Sequence, residues 1–214
     1  MPLIGQYKLS GVDVWAWKIT ETLDELLEAV PAECASFAIE KFASKKRCAE
    51  WLAVRAIVKQ QLGYDVRIVY DAAGKPSLDG ACGYISISHT KGYAVVAFSR
   101  EEEIGVDVEL VSRNVVSVAG RFMPEGLLAD ILPAEKNNMA LLHWCAKEGL
   151  YKIVGNLGGD FKDNISVDVV ELGERGCASL ALVGLEYRGG KNYLADYFVL
   201  GDILVVLCRK KVSR

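Results

Sequence analysis

Residues 104–110 read Ile-Gly-Val-Asp-Val-Glu-Leu, and this strict alternation constrains the fold more than any other stretch of the chain. Successive side chains of a strand point to opposite faces. Ile104, Val106, Val108 and Leu110 therefore share one face and enter a core, while Gly105, Asp107 and Glu109 share the other. Two carboxylates about 7 Å apart on one strand face repel each other unless water or a cation lies between them. An edge strand with a solvated acidic face and a cation site both satisfy that pattern. A helical counterpart follows at residues 144–152, Trp-Cys-Ala-Lys-Glu-Gly-Leu-Tyr-Lys. Trp144, Glu148 and Lys152 are four apart and stack on one helix face. A surface Glu–Lys pair beside a core tryptophan explains this as well as a charged site does. Gly149 favours the site, because glycine inside a helix costs about 1 kcal/mol and marks close approach of another backbone or a ligand.

Around these two segments the chain alternates strands and helices. Residues 11–19 read as a strand, and Thr22 with Glu25 forms a capping box for a short helix ending before Pro31. Helical spacing runs over 36–62, in one or two pieces with Ser44 as the break, and Gly63 terminates it. Strands follow at 66–70, 84–88, 93–98 and 104–110, with a turn at 71–76 and a hairpin at 89–92. Residues 121–154 read as helix in two pieces broken near Pro133, and 165–170, 178–186, 195–200 and 203–208 read as a meander. The order strand, helix, strands thus occurs twice. It implies an α+β architecture of two similar halves, 1–110 and 111–214, packed as a pseudo-dimer within one monomeric chain.

Three smaller constellations carry charge or hydroxyls. Ser86, Ser88, His89 and Thr90 stand where a strand meets its turn, and could either offer an imidazole and hydroxyls to a phosphate or cap their own hairpin. Gly74, Lys75 and Pro76 have turn chemistry, and Lys75 at the tip needs no function. Lys45, Lys46 and Arg47 form a basic cluster with Arg55 two turns on, which a solvated helix face also explains. Only two histidines occur, and His143, beside Trp144, reads as structural.

Composition limits the partners. Hydrophobic residues make up 51% of the 214 and the net charge is −3. A packed core follows, and no global positive field exists for a nucleic-acid backbone. Any anion must be held by a local cluster. Six cysteines lack the C-x₂₋₄-C spacing of zinc sites. With no run of about 18 apolar residues and no signal-peptide start, the expectation is a cytoplasmic protein without a membrane span.

Taken in order, Gly-Lys-Pro at 74–76, Ser-His-Thr at 88–90, Gly-Val-Asp-Val-Glu at 105–109 and Trp-x-x-Lys-Glu-x-x-x-Lys at 144–152 resemble the 4′-phosphopantetheinyl transferase superfamily. The type is the long, two-half one that activates peptide and polyketide synthases. The resemblance runs over about residues 36–155. It implies transfer of phosphopantetheine from coenzyme A to a serine of an apo acyl or peptidyl carrier protein, with release of 3′,5′-ADP and an active site at the junction of the halves. It implies Mg²⁺ held by Asp107, Glu109 and Glu148, with Glu148 or a water as base for the serine proton. Lys152 would stabilise the diphosphate, and Lys147 would contact pantetheine or phosphates. Ser88 and His89 would contact coenzyme A phosphates, Gly74 and Lys75 the nucleotide, and Arg47, or Lys46 one register away, the 3′-phosphate. Two departures stand out. Residues 31–35 lack the Lys or Arg frequent in the family, and Gly149 replaces a small Ala or Ser, which would loosen the helix. A non-catalytic coenzyme A or carrier-protein binding module of the same fold is the alternative, and a metal-dependent phosphoesterase a third reading.

Overall fold

The computed structural model describes residues 3–63, 66–155, 161–169, 172–182 and 192–211. The chain divides into two compact units, residues 1–101 and 102–214. The division falls ahead of the acidic strand and not after it. That strand pairs with the last strand of the second unit, and long-range hydrogen bonding, which local pattern does not reveal, decides its membership.

The first unit runs β1 (Leu3–Leu9), β2 (Val12–Lys18), α1 (Leu23–Ala29), α2 (Ala32–Lys41), α3 (Lys45–Leu62), β3 (Arg67–Tyr70), β4 (Pro76–Asp79), β5 (Tyr84–Thr90) and β6 (Tyr93–Ser99). Its main sheet is antiparallel in the order β1-β2-β6-β5, and β3-β4 form a separate hairpin. The capping box forms as expected: Thr22 Oγ1 accepts from the Glu25 N–H, and the Glu25 carboxylate accepts from the Thr22 N–H. The helical stretch splits into α2 and α3 at Ser44, whose Oγ accepts from the Arg47 N–H. Gly63 ends α3 at a φ of 114°, which glycine adopts without the Cβ penalty. Helix α3 packs on β6 and β2 with α1 and α2 at its sides. Trp17, Leu26, Leu52 and Ile57 are fully buried in this unit's core. His89 and Thr90 belong to β5, and the hairpin turn is only Lys91 and Gly92.

The second unit runs β7 (Ile104–Leu110), a 3₁₀ turn (Val116–Arg121), α4 (Lys136–Val154), α5 (Phe161–Asn164), β8 (Ile165–Val169), β9 (Arg175–Leu182), β10 (Asn192–Leu200) and β11 (Ile203–Lys210). Its sheet order is β7-β11-β10-β9-β8. Each unit places the strand before its long helix beside the unit's last strand, β2 on β6 and β7 on β11, so the two halves share a topology. The helix expected over 121–154 forms only from Lys136. Pro124, Gly126 at φ 81° and Pro133 leave 124–135 in turns, because proline removes a helical donor and a left-handed residue reverses the chain. Position 170 and positions 183–186 of the expected strands lie outside the described residues. Phe122, Met123, Leu141, Leu142 and Leu150 fill the core under α4.

His143 lies in that interior at 2% exposure. Its Nδ1 is buried with no hydrogen-bond partner. Burial, and then the nearby charge of Lys147, push its pKa down to about 4. The folded state therefore holds a neutral imidazole, while the unfolded chain protonates near 6.5. Stability is full above pH 6.5 and declines by about 3 kcal/mol as the pH falls to 4. Urea midpoints measured from pH 7.5 to 4 should show this decline, and His143→Gln should remove most of it.

Candidate active site

The acidic strand and the Lys-Glu helix meet face to face. Helix α4 packs directly on β7 and β11, and two glycines make the approach close. A Cβ on Gly105 would overlap the carbonyl oxygen of Gly149 and stand 2.8 Å from its carbonyl carbon. A Cβ on Gly149 would stand 2.8 Å from Cys208 Sγ and 3.2 Å from the Gly105 oxygen. Gly149 therefore does not loosen the helix, which continues unbroken to Val154. Its missing side chain lets α4 lie against β7 and leaves room for Cys208, whose thiol donates to the Ala146 oxygen at 3.3 Å. The face of β7 bearing Gly105, Asp107 and Glu109 is thus covered by a helix; β7 does stand at the edge of its sheet, but its acidic face is not a solvated one.

This packing brings Asp107, Glu148 and Lys152 together. The Lys152 ammonium donates to Asp107 Oδ1 at 3.0 Å and to the Val106 carbonyl at 2.6 Å. Asp107 is buried. Burial, and next the charge of Asp107, push the Glu148 carboxyl above the usual range, while Lys152 and Arg113 pull it back. Glu109 is ion-paired with Arg113, whose guanidinium also lies 5.5 Å from the centre of the Trp144 ring. Burial first, and then Asp107, hold the Cys145 thiol well above its ordinary range, so it supplies no thiolate nucleophile here.

The first unit carries a second charged group. Lys46, Arg47 and His89 surround Glu50: Lys46 Nζ, Arg47 Nη1 and His89 Nδ1 lie 3.6, 3.7 and 3.6 Å from its carboxylate oxygens. Arg47 Nη1 is 3.5 Å from His89 Nε2.

The chain is 30% identical over 129 residues to the 4′-phosphopantetheinyl transferase AcpT of Salmonella typhimurium, covering 57% of this chain and 65% of the relative. It is 29% identical over 146 residues to the 4′-phosphopantetheinyl transferase ffp of Bacillus subtilis, covering 63% of this chain and 64% of the relative. The chain is thus similar to two 4′-phosphopantetheinyl transferases. It spans slightly less than two thirds of each of these relatives. No family model matches it.

Against the superfamily pattern the expected residues fall into three sets. Asp107, Glu148 and Lys152 converge on one another, and Arg47, Lys46 and His89 converge on Glu50. Gly74 and Lys75 lie in the β3–β4 turn, where Asp71 Oδ1 accepts from the Ala73 and Lys75 N–H groups at 2.9 and 2.8 Å. Two positions depart from expectation. Ser88 is buried and alternates with His89 along β5, so the pair points to opposite faces and only His89 joins the cation cluster. Lys147 is 1% exposed and lies near His143, because its α4 face is turned inward.

The carboxylates fit a hard dication in kind: oxygen donors on one strand face, with a third on the covering helix. Among the described residues no group of three or more His, Cys, Asp or Glu side chains stands close enough as placed to hold a metal ion. Lys152 pairs with Asp107 and Arg113 with Glu109. Sequence reading missed Arg113 and Glu50. Both were legible in part, as a base four residues after Glu109 and an acid three and four residues after Arg47 and Lys46.

Proposed function

We propose that this chain transfers the 4′-phosphopantetheine group of coenzyme A to a serine hydroxyl of an apo acyl or peptidyl carrier protein and releases 3′,5′-ADP. The observation that carries this reading is the part-buried Asp107–Lys152 pair beside Glu148, two like charges and an ammonium held on rigid elements. Such a group suits phosphoryl transfer, where positioning and charge neutralisation supply most of the catalysis.

Glu148 accepts the proton of the attacking serine; its raised pKa makes it a stronger base than an ordinary glutamate. The serine oxygen bonds to the β-phosphorus as the bond to the 3′,5′-ADP oxygen breaks, and Lys152 turns its charge to that leaving diphosphate. Asp107, Glu109 and Glu148 are the residues that would hold Mg²⁺, which when bound neutralises diphosphate charge. Arg47, Lys46 and His89 take the 3′-phosphate, and Gly74 and Lys75 lie at the nucleotide. Three bases in the first turn of α3 without an acidic partner there oppose the helix dipole, which favours an anionic ligand at that end. Among the described residues no helix is long and apolar enough to cross a membrane, and a monomer acting in the cytoplasm is the working assignment.

The test is to incubate the protein with coenzyme A, Mg²⁺ and a panel of apo carrier proteins, and to weigh the carriers. The expected result is a gain of one phosphopantetheine arm that EDTA and Glu148→Gln abolish. Coenzyme A binding without any gain would point to the non-catalytic binding module, and free phosphopantetheine without a carrier to the phosphoesterase.

A further inference from the structure

Glu50 is a buried charge to which the reaction above gives no task. It lies on α3 with its side chain 5% exposed, and a carboxylate is kept at such depth only with partners. Its partners are unusual in being the proposed ligand-binding groups themselves. Lys46 and Arg47 reach it from the preceding helical turn, and His89 reaches it from β5. The Arg47–His89 approach of 3.5 Å closes a triangle of carboxylate, guanidinium and imidazole.

The arrangement has an inside and an outside. The Lys46 and Arg47 side chains are 60% and 62% exposed. Glu50 therefore holds their inner flanks and leaves their outer N–H groups to solvent. Lysine and arginine lose the most side-chain entropy when fixed, and a buried carboxylate that fixes them beforehand removes part of that loss from ligand binding. It also ties a helix to a strand, so that Arg47 and His89 present one surface.

We propose that Glu50 is a positioning residue that sets Arg47, Lys46 and His89 to receive the 3′-phosphate of coenzyme A. The proposal rests on the coenzyme A reading above. It makes a prediction opposite in sign to simple electrostatics. Removing a negative charge beside a phosphate site strengthens binding if charge alone matters, whereas removing the anchor weakens it if positioning matters.

The test compares coenzyme A with dephospho-coenzyme A, which lacks the 3′-phosphate, as donors for an apo carrier protein. For Glu50→Gln the expected result is a KM for coenzyme A raised about tenfold, the factor of one lost charge-assisted hydrogen bond, at unchanged kcat. The KM for dephospho-coenzyme A should not move. In an Arg47→Ala/His89→Ala background, Glu50→Gln should change the coenzyme A KM by less than about twofold, because the groups it positions are gone. Should Glu50→Gln fail to fold by circular dichroism, binding of 3′,5′-ADP to Glu50→Asp is measured by calorimetry. That variant keeps the charge but withdraws it by one methylene, and weaker binding is expected. An unchanged or lower KM for coenzyme A, an equal rise for both donors, or unweakened 3′,5′-ADP binding by the folded Glu50→Asp would overturn the proposal. A wild-type protein that neither transfers nor binds coenzyme A would overturn the underlying reading instead.

Discussion

Gly105→Ala should destabilise the protein by at least about 3 kcal/mol, at or beyond the upper end of ordinary overpacking. The new methyl would overlap the Gly149 carbonyl oxygen, with the Gly149 carbonyl carbon at 2.8 Å and Ile153 Cγ1 at 3.2 Å. Two of these atoms are backbone of a helix packed on the sheet, so a rotamer change cannot relieve the clash; α4 must shift as a body away from β7. That shift also separates Lys152 from Asp107, so transfer activity should fall with stability. Gly120→Ala is the control, because a Cβ there meets nothing within 4 Å, and its urea midpoint should stay close to wild type. Gly149→Ala is a milder case. Alanine gains about 1 kcal/mol of helix propensity but presses on Cys208 Sγ at 2.8 Å. Adding Cys208→Ala should recover stability, and the non-additivity of the pair measures the contact. A Gly105→Ala protein as stable as wild type would mean that α4 and β7 do not touch at these glycines.

Asp107→Asn should lower the rate of the proposed transfer on the order of 10³-fold, the loss typical for one removed electrostatic group in a water-poor site. The substitution keeps the shape and removes one charge that serves twice: it fixes the Lys152 ammonium at 3.0 Å and it is one of the carboxylates proposed for the dication. Its effect on folding should be smaller than on activity. The Lys152 side chain is 29% exposed, so its ammonium can turn to water when its partner is neutralised, and the full penalty of a broken buried pair does not apply. Lys152→Met in the same assay should cost less than Asp107→Asn. Intact-mass measurement of the carrier gives the rates, and urea unfolding separates them from stability. Activity within about fivefold of wild type in Asp107→Asn would show that the chemistry takes place elsewhere.

Much of this architecture follows from short-range rules that local sequence obeys. The period-2 pattern of 104–110, the capping box at Thr22, the Ser44 break and the Gly63 stop all formed as the residues specify, because each depends on neighbours within one turn or one strand. The stacked Glu148 and Lys152 were equally legible from helical spacing. The expected helix at 121–135 fails for a local reason as well: Pro124, Gly126 and Pro133 interrupt it. Tertiary structure decided the rest. Strand β7 joins the second unit because its hydrogen-bonding partner is β11, far along the chain. Its acidic face meets a helix and not water because Gly105 and Gly149, neither with a side chain, fit against each other. Lys147 turns inward, and Ser88 parts from His89, because packing on one face of a helix or strand leaves adjacent residues no choice of side. Glu50 is a mixed case: Lys46 and Arg47 precede it by one helical turn and are legible from spacing, whereas His89 reaches it from β5 only in the folded chain.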